Sequence, residues 1–275
     1  MYPTFNFFGR EIGTYAICSI IGLFLCGLVS VTLSKKYRIG KNGKLDIFDI
    51  SMIILVIAGG MFLGGHILYG LTHIREIILI FSYFPKLSWM DFFSQLGFYM
   101  GGMVYYGGFI GGCIALLIYT KFSDAISKDD ALDLFALNAP LFHIFGRIGC
   151  FLGGCCYGVE SEFGFVVQDN HLYPDLNGVR RLPIQLIEAF CNLIIFLVIL
   201  YLFKKGIGRY KLIYVYMIIY PVCRFILEFF RGDLIRGIYF GLSTSQWISI
   251  ALIIFSSFKL ITIKIKDAKT KTRGI

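Results

Sequence analysis

Apolar residues run along this chain in stretches of about twenty, the length of α-helix that crosses the hydrocarbon core of a bilayer. Seven such stretches fall near residues 14–33, 51–70, 96–119, 131–149, 185–203, 212–230 and 245–263. They predict an all-α membrane protein with about seven transmembrane helices, forming a single polytopic domain over residues 1–275. The polar connections between them alternate in charge. SKKYRIGKNGKLDIFD, TKFSDAISKDD, KKGIGRYK and the tail KIKDAKTKTRGI hold 16 Lys or Arg, against 7 on the other side (Arg10, Arg75, Lys86, Arg180, Arg181, Arg231 and Arg236). By the positive-inside rule the first set is cytoplasmic, so the amino terminus is expected outside and the carboxyl terminus inside. The opening MYPTFNFFGREIG lacks the basic region of a cleavable signal, and the first stretch is expected to be retained as a span. The segment HIREIILIFSYFPKLSWMDFF reads as an amphipathic helix lying at headgroup depth.

Composition supports that reading and narrows it. The chain is 57% hydrophobic and only 16% charged, and a soluble protein of 275 residues is rarely so. Its net charge of +9 sits in short loops and the tail, not on a stripe interleaved with aromatic residues. Basicity so placed is a topology signal and an attraction to anionic membrane lipids, and no nucleic-acid partner is expected. Of eight cysteines, Cys18, Cys26, Cys113, Cys191 and Cys223 lie inside apolar stretches and read as small buried hydrophobes.

The candidate chemistry lies where charge interrupts the apolar pattern. HIFGRIGCFLGGCCYG, from His143 to Gly158, puts Arg147 at the end of a span, where an uncompensated charge costs at least ~3 kcal/mol. Arg147 therefore needs an anion or a wet cavity. In CRFILEFFR, Arg224 and Glu228 are spaced i, i+4 on one helix face, and Arg231 follows at i+3 from Glu228. Such a triplet can orient an arginine and leave net positive charge for an outside anion, or it can be a satisfied ion pair that locks two helices. Gln185 and Glu188 follow Pro183, a natural first-turn residue, and are placed to hydrogen-bond across to Arg147 or Arg224 or to glue the bundle. Glycine pairs in AGGMFLGGHILYG and GGMVYYGGFIGG read mainly as tight helix packing. Among them Tyr106 could present its hydroxyl to a lipid-sized cleft, with His66 as a donor. Cys150, Cys155 and Cys156 are spaced C-x4-C-C, which is not a closed zinc spacing, so a disulfide or packed thiols are preferred and no metal is expected.

Taken in order, GRIGCFLGGCCYG, PIQLIE, RFILEFFR and LSTSQWIS resemble the bacterial prolipoprotein diacylglyceryl transferases, whose hallmark is a Gly-Arg-hydrophobic-Gly-Asn-Phe stretch ending in glycine. The likeness extends over nearly the whole chain. It implies a multi-pass protein of the bacterial plasma membrane that moves the diacylglyceryl group of phosphatidylglycerol to the lipobox cysteine thiol of preprolipoprotein signal peptides. A thioether forms, glycerol phosphate leaves, and no cofactor is needed. The family's signature arginine falls on Arg147 and its closing glycine on Gly158. The arginine of the sixth span falls on Arg224, its acidic partner on Glu228 and the following arginine on Arg231. The tyrosine of the first span falls on Tyr15, and the outer-loop glutamine and glutamate on Gln185 and Glu188. The resemblance thus implies a catalytic set of Arg147, Arg224, Tyr106 and Glu228. Arg147, Tyr15, Gly158, Gln185, Glu188, Arg231 and His66 would hold substrate.

Three positions depart from the family. Cys150 stands for the asparagine, Tyr106 for a histidine proposed to assist proton removal, and His66 for an arginine. An unperturbed tyrosine has a pKa near 10 and is a poor base at neutral pH, so another group would have to activate the thiol. The departures keep two other readings open: a paralogue that transfers a phospholipid-derived group elsewhere, and a non-catalytic phospholipid-binding or transport protein.

Overall fold

The structure is a computed structural model, and it describes residues 2–7, 9–170, 173–233 and 237–273. Nine α-helices are seen among them: α1 (Thr14–Tyr37), α2 (Ile47–Thr72), α3 (Ile74–Tyr83), α4 (Trp89–Met100), α5 (Tyr105–Phe122), α6 (Lys128–Gly153), α7 (Ile184–Lys205), α8 (Leu212–Glu228) and α9 (Thr244–Arg273). Three antiparallel two-stranded ribbons sit in the connections: β1 (Thr4–Phe7) with β2 (Arg10–Gly13), β3 (Glu160–Val166) with β4 (Arg180–Arg181), and β5 (Ile238–Tyr239) with β6 (Leu242–Ser243).

Among the described residues, five helices are long and apolar enough to cross a membrane: α1, α2, α6, α7 and Thr244–Asp267 of α9. A sixth is added if α4 and α5 count as one span, but they are bent by 91° at a short break. That break replaces the straight third span expected over 96–119. Its cause is local: α4 stops at Gly101, and Met103 and Val104 run non-helically before α5 begins. The sixth expected stretch is α8, which has only 17 residues and carries Pro221. Large apolar side chains such as Phe190, Leu197, Phe258 and Ile254 face outward, as lipid-facing residues do.

The chain packs as two compact units, with boundaries inside α1 and just inside α6. Residues 33–131 form one of them, built on the pairing of α2 with α5. Gly60 and Gly64 meet Gly107 and Gly111, and a Cβ on Gly60 would lie 2.5 Å from the Gly111 carbonyl oxygen. The repeat of four on both helices lets their backbones touch, the small-xxx-small packing of membrane helices. Asp46 begins α2 with a capping box, its side chain accepting from Asp49 N–H at 2.8 Å. The aromatic segment expected as one interfacial helix is two, α3 and α4, joined by a tight turn where Phe84 packs edge-on to Trp89 and Phe92.

Residues 1–32 and 132–275 form the other unit. α7 packs on α8 and α8 on α9, around buried Ile195, Ile199, Phe203, Leu212 and Tyr216. At the α7–α8 connection the fully buried Asp133 of α6 accepts from Tyr210 N–H (2.7 Å) and Leu212 N–H (3.1 Å) and pairs with Arg209 (3.2 Å). It satisfies free amides at the start of α8, as a helix beginning inside a protein requires. At the far end of the same helices lies the site.

Candidate functional site

Glu188, one turn into α7 and 1% exposed, is the centre around which cations gather. Its Oε2 lies 3.0 Å from Arg147 Nε, 3.3 Å from Arg224 Nη1 and 3.9 Å from Arg231 Nη1. Its Oε1 lies 3.6 Å from His143 Nε2 and accepts from the Tyr220 hydroxyl at 3.3 Å. Arg147 comes from α6, Arg224 and Tyr220 from α8, and Arg231 from the chain just beyond α8. A carboxylate buried so deeply is tolerated because three guanidinium groups surround it, and each guanidinium because of the carboxylate.

The spacing of Arg224 and Glu228 on α8 produces an ion pair between them. Arg231 behaves otherwise than its spacing predicts. α8 ends at Glu228, and Arg231 lies in an antiparallel bridge opposite Gly158 and forms a two-pronged contact with Asp233, both distances 2.8 Å. Burial disfavours the Arg231 cation, but the Asp233 hydrogen bonds outweigh it and hold its pKa above the ordinary guanidinium range. With Asp233 and Glu188 included, three arginines face three carboxylates. Among the described residues the network therefore carries no net positive charge of the kind expected. What it offers an anion is a set of aimed donors: among the described residues Arg231 Nη1 has no hydrogen-bond partner, and Arg147 Nη1 has only the Cys150 sulfur at 4.0 Å. Fixed donors in a water-poor site stabilise developing negative charge without net charge of their own.

Gly158 closes this site from the loop side. Its carbonyl accepts from Arg181 Nη1 at 3.1 Å, and a Cβ there would collide with the Leu182 carbonyl, so only glycine lets the two strands approach. Gln185 is 2% exposed and does not reach Arg147 or Arg224; it donates to the Cys155 carbonyl at 2.8 Å. Tyr15, in the first turn of α1, stacks over the bare Cα of Gly149, two residues after Arg147, with its side chain half exposed. Arg147, Arg224, Glu228, Glu188, Arg231, Gly158, Gln185 and Tyr15 thus all belong to the unit formed by residues 1–32 and 132–275.

Tyr106 and His66 belong to the other unit. Tyr106 is buried in the first turn of α5, and His66 Nδ1 donates to the Met100 carbonyl at 2.8 Å while its ring packs on Phe62. Spacing did not single out Asp233 or Tyr220, because nothing local to either marks it: one stands in a loop and the other among aromatic residues of α8. His143 was visible as a polar interruption four residues before Arg147, from whose Nε it accepts at 3.1 Å.

Cys150, Cys155 and Cys156 are free thiols. α6 ends in a Schellman turn: Gly154, at φ +76°, follows the helix, Cys155 N–H donates to Cys150 O (3.1 Å) and Gly154 N–H to Phe151 O (3.3 Å). That turn sets the Cys155 side chain against Cys150.

Residues 3–262 match the family described as prolipoprotein diacylglyceryl transferase. The phosphatidylglycerol–prolipoprotein diacylglyceryl transferase of Clostridium tetani (strain Massachusetts / E88) is 33% identical over 258 residues, 92% of this chain and 94% of that protein. A second, from Clostridium perfringens (strain 13 / Type A), is 34% identical over 252 residues, 90% of this chain and 89% of that protein. That of Campylobacter jejuni (serotype O:23/36, strain 81-176) is 33% identical over 270 residues, 95% of this chain and 93% of that protein.

Proposed function

Since the chain belongs to the prolipoprotein diacylglyceryl transferase family, we propose that the arginine cluster around Glu188 is where it transfers the diacylglyceryl group of phosphatidylglycerol to a prolipoprotein cysteine. The enzyme is a multi-pass membrane protein. The observation that carries the assignment of the site is the convergence of Arg147, Arg224 and Arg231 on one buried carboxylate. Such a cluster is expensive to bury and needs an anionic task.

In this reading the phosphate of phosphatidylglycerol takes hydrogen bonds from the Nη groups of Arg147 and Arg231. Glu188, Glu228 and Asp233 hold the three guanidinium groups in position. As the cysteine sulfur attacks the glyceryl carbon, the C–O bond to phosphate breaks and charge grows on the departing glycerol phosphate. Donors already fixed stabilise that charge without reorganising. Gly158 and Gln185 keep the loop over the cluster, and Tyr15 flanks the side on which the lipid chains lie.

The reading includes a plasma-membrane location, preprolipoprotein signal peptides as acceptors, and α8 as the remaining span. Seventeen residues reach about 25 Å, enough for the thin end of the usual range. The alternate clustering of Lys and Arg supports an amino terminus outside and a carboxyl terminus in the cytoplasm. The test is Arg147→Ala in vesicles of phosphatidylglycerol with a lipobox peptide. Loss of both lipidated peptide and released glycerol phosphate is expected, and unchanged turnover would sink the role given to Arg147.

A further inference from the structure

We infer that Cys150, Cys155 and Cys156 form a binding site for one thiophilic divalent cation of the zinc class, with an open fourth position that takes the incoming cysteine thiol. The three sulfurs all lie within 4.8 Å of one another. Sulfurs sharing a zinc at about 2.3 Å stand roughly 4 Å apart, so closure onto an ion asks for a contraction of under ~1 Å. Linear spacing hid this arrangement. C-x4-C-C matches no closed zinc motif, but the left-handed Gly154 folds the chain back so that Cys155 returns to Cys150.

The turn is also held from outside. Asn170, 2% exposed, donates from Nδ2 to the Gly154 carbonyl at 2.9 Å, and Gln185, equally buried, donates from Nε2 to the Cys155 carbonyl at 2.8 Å. Cys156 itself has φ +58°, a conformation that a non-glycine residue keeps only where its surroundings enforce it. Two buried amides and a strained backbone thus position three thiols that no disulfide uses. Three thiolates around a divalent ion carry one net negative charge, and Arg147 Nη1, 4.0 Å from Cys150 Sγ, is placed to donate a hydrogen bond to that cluster. Three protein ligands with one open position is the pattern of a working zinc site, not a sealed structural one. Cys155 and Cys156 are only half-buried, which leaves a side from which a fourth ligand can enter.

The use of that position rests on the activity proposed above; the binding of the ion does not. Coordination removes the proton of the substrate thiol to solvent, which makes the nucleophile that Tyr106 is poorly suited to make. The sulfur's electron pair forms the C–S bond, the C–O bond to phosphate breaks, and glycerol phosphate leaves with the electrons of that bond. The product thioether, a weaker donor than thiolate, then leaves the ion.

The full-length protein, reduced and stripped of metal in detergent, is titrated with Co²⁺. Sulfur-to-cobalt charge-transfer bands and intense visible bands are expected, displaced by Zn²⁺, lost in Cys155→Ser and Cys156→Ser, and kept in Cys113→Ser. A lipobox peptide should intensify them, and its serine analogue should not. Absence of bands in wild type, or their survival in both serine variants, overturns the inference. Lipid transfer by metal-free protein overturns the catalytic use of the ion, while bands without transfer would leave the metal site standing and remove the activity assigned here.

Discussion

At the scale of single residues, Glu188 organises the site, and its charge matters more than its shape. Glu188→Gln keeps the volume and leaves Arg147, Arg224 and Arg231 facing one another across a neutral amide. Breaking a buried ion pair from one side costs about 3–5 kcal/mol, so a marked fall in the thermal unfolding midpoint in detergent is expected along with loss of transfer. A midpoint equal to wild type would mean that the guanidinium groups are compensated by something other than this carboxylate. Arg147 poses a different question, since its Nε is occupied by Glu188 and His143 and only its Nη groups are available to substrate. Arg147→Lys keeps the charge and loses the fork, so it should fold normally yet recover little transfer in the vesicle assay.

At the scale of elements, two glycine contacts carry separate consequences. Gly158 lets the loop after α6 lie against Leu182 and bridge to Arg231. Gly158→Ala should displace that bridge and lower kcat/KM by about tenfold or more through a misplaced Arg231, with little change in helix content by circular dichroism. Wild-type kinetics would show that the bridge does not set Arg231. The α2–α5 pair depends on touching backbones at Gly64 and Gly107. Gly107→Val must separate the helices, and overpacking typically costs about 1–3 kcal/mol, so the protein should become sensitive to protease in the segment 33–131. A protease pattern like that of wild type would indicate that this pair yields without cost.

At the scale of the whole molecule, the alternating charge of the connections predicts an orientation that fusions can test. Alkaline phosphatase fused in the loop near residue 162 should be active and, fused after α9, inactive. The reverse result would invert the protein in the membrane and put the arginine cluster on the cytoplasmic side. Much of this molecule was legible along the chain. The apolar stretches predicted five of the helices to within four residues at each end and the start of α9, which runs on to Arg273, because twenty apolar residues in lipid have one way to satisfy their own amides. Arg224 and Glu228 pair as their spacing requires, since i and i+4 on a helix are neighbours wherever the helix lies. The 91° break between α4 and α5, the exit of Arg231 from α8, its pairing with Asp233 and the charge balance around Glu188 were not legible. Each depends on residues far apart in sequence, or on where a helix stops, and no periodicity encodes either. The same holds for the three thiols. Sequence alone determined that this is a membrane protein with arginines at the ends of its spans. Tertiary structure decided which carboxylates neutralise them, which donors remain, and that one left-handed glycine brings the cysteines together, because distance through space is set by packing and turns and not by position along the chain.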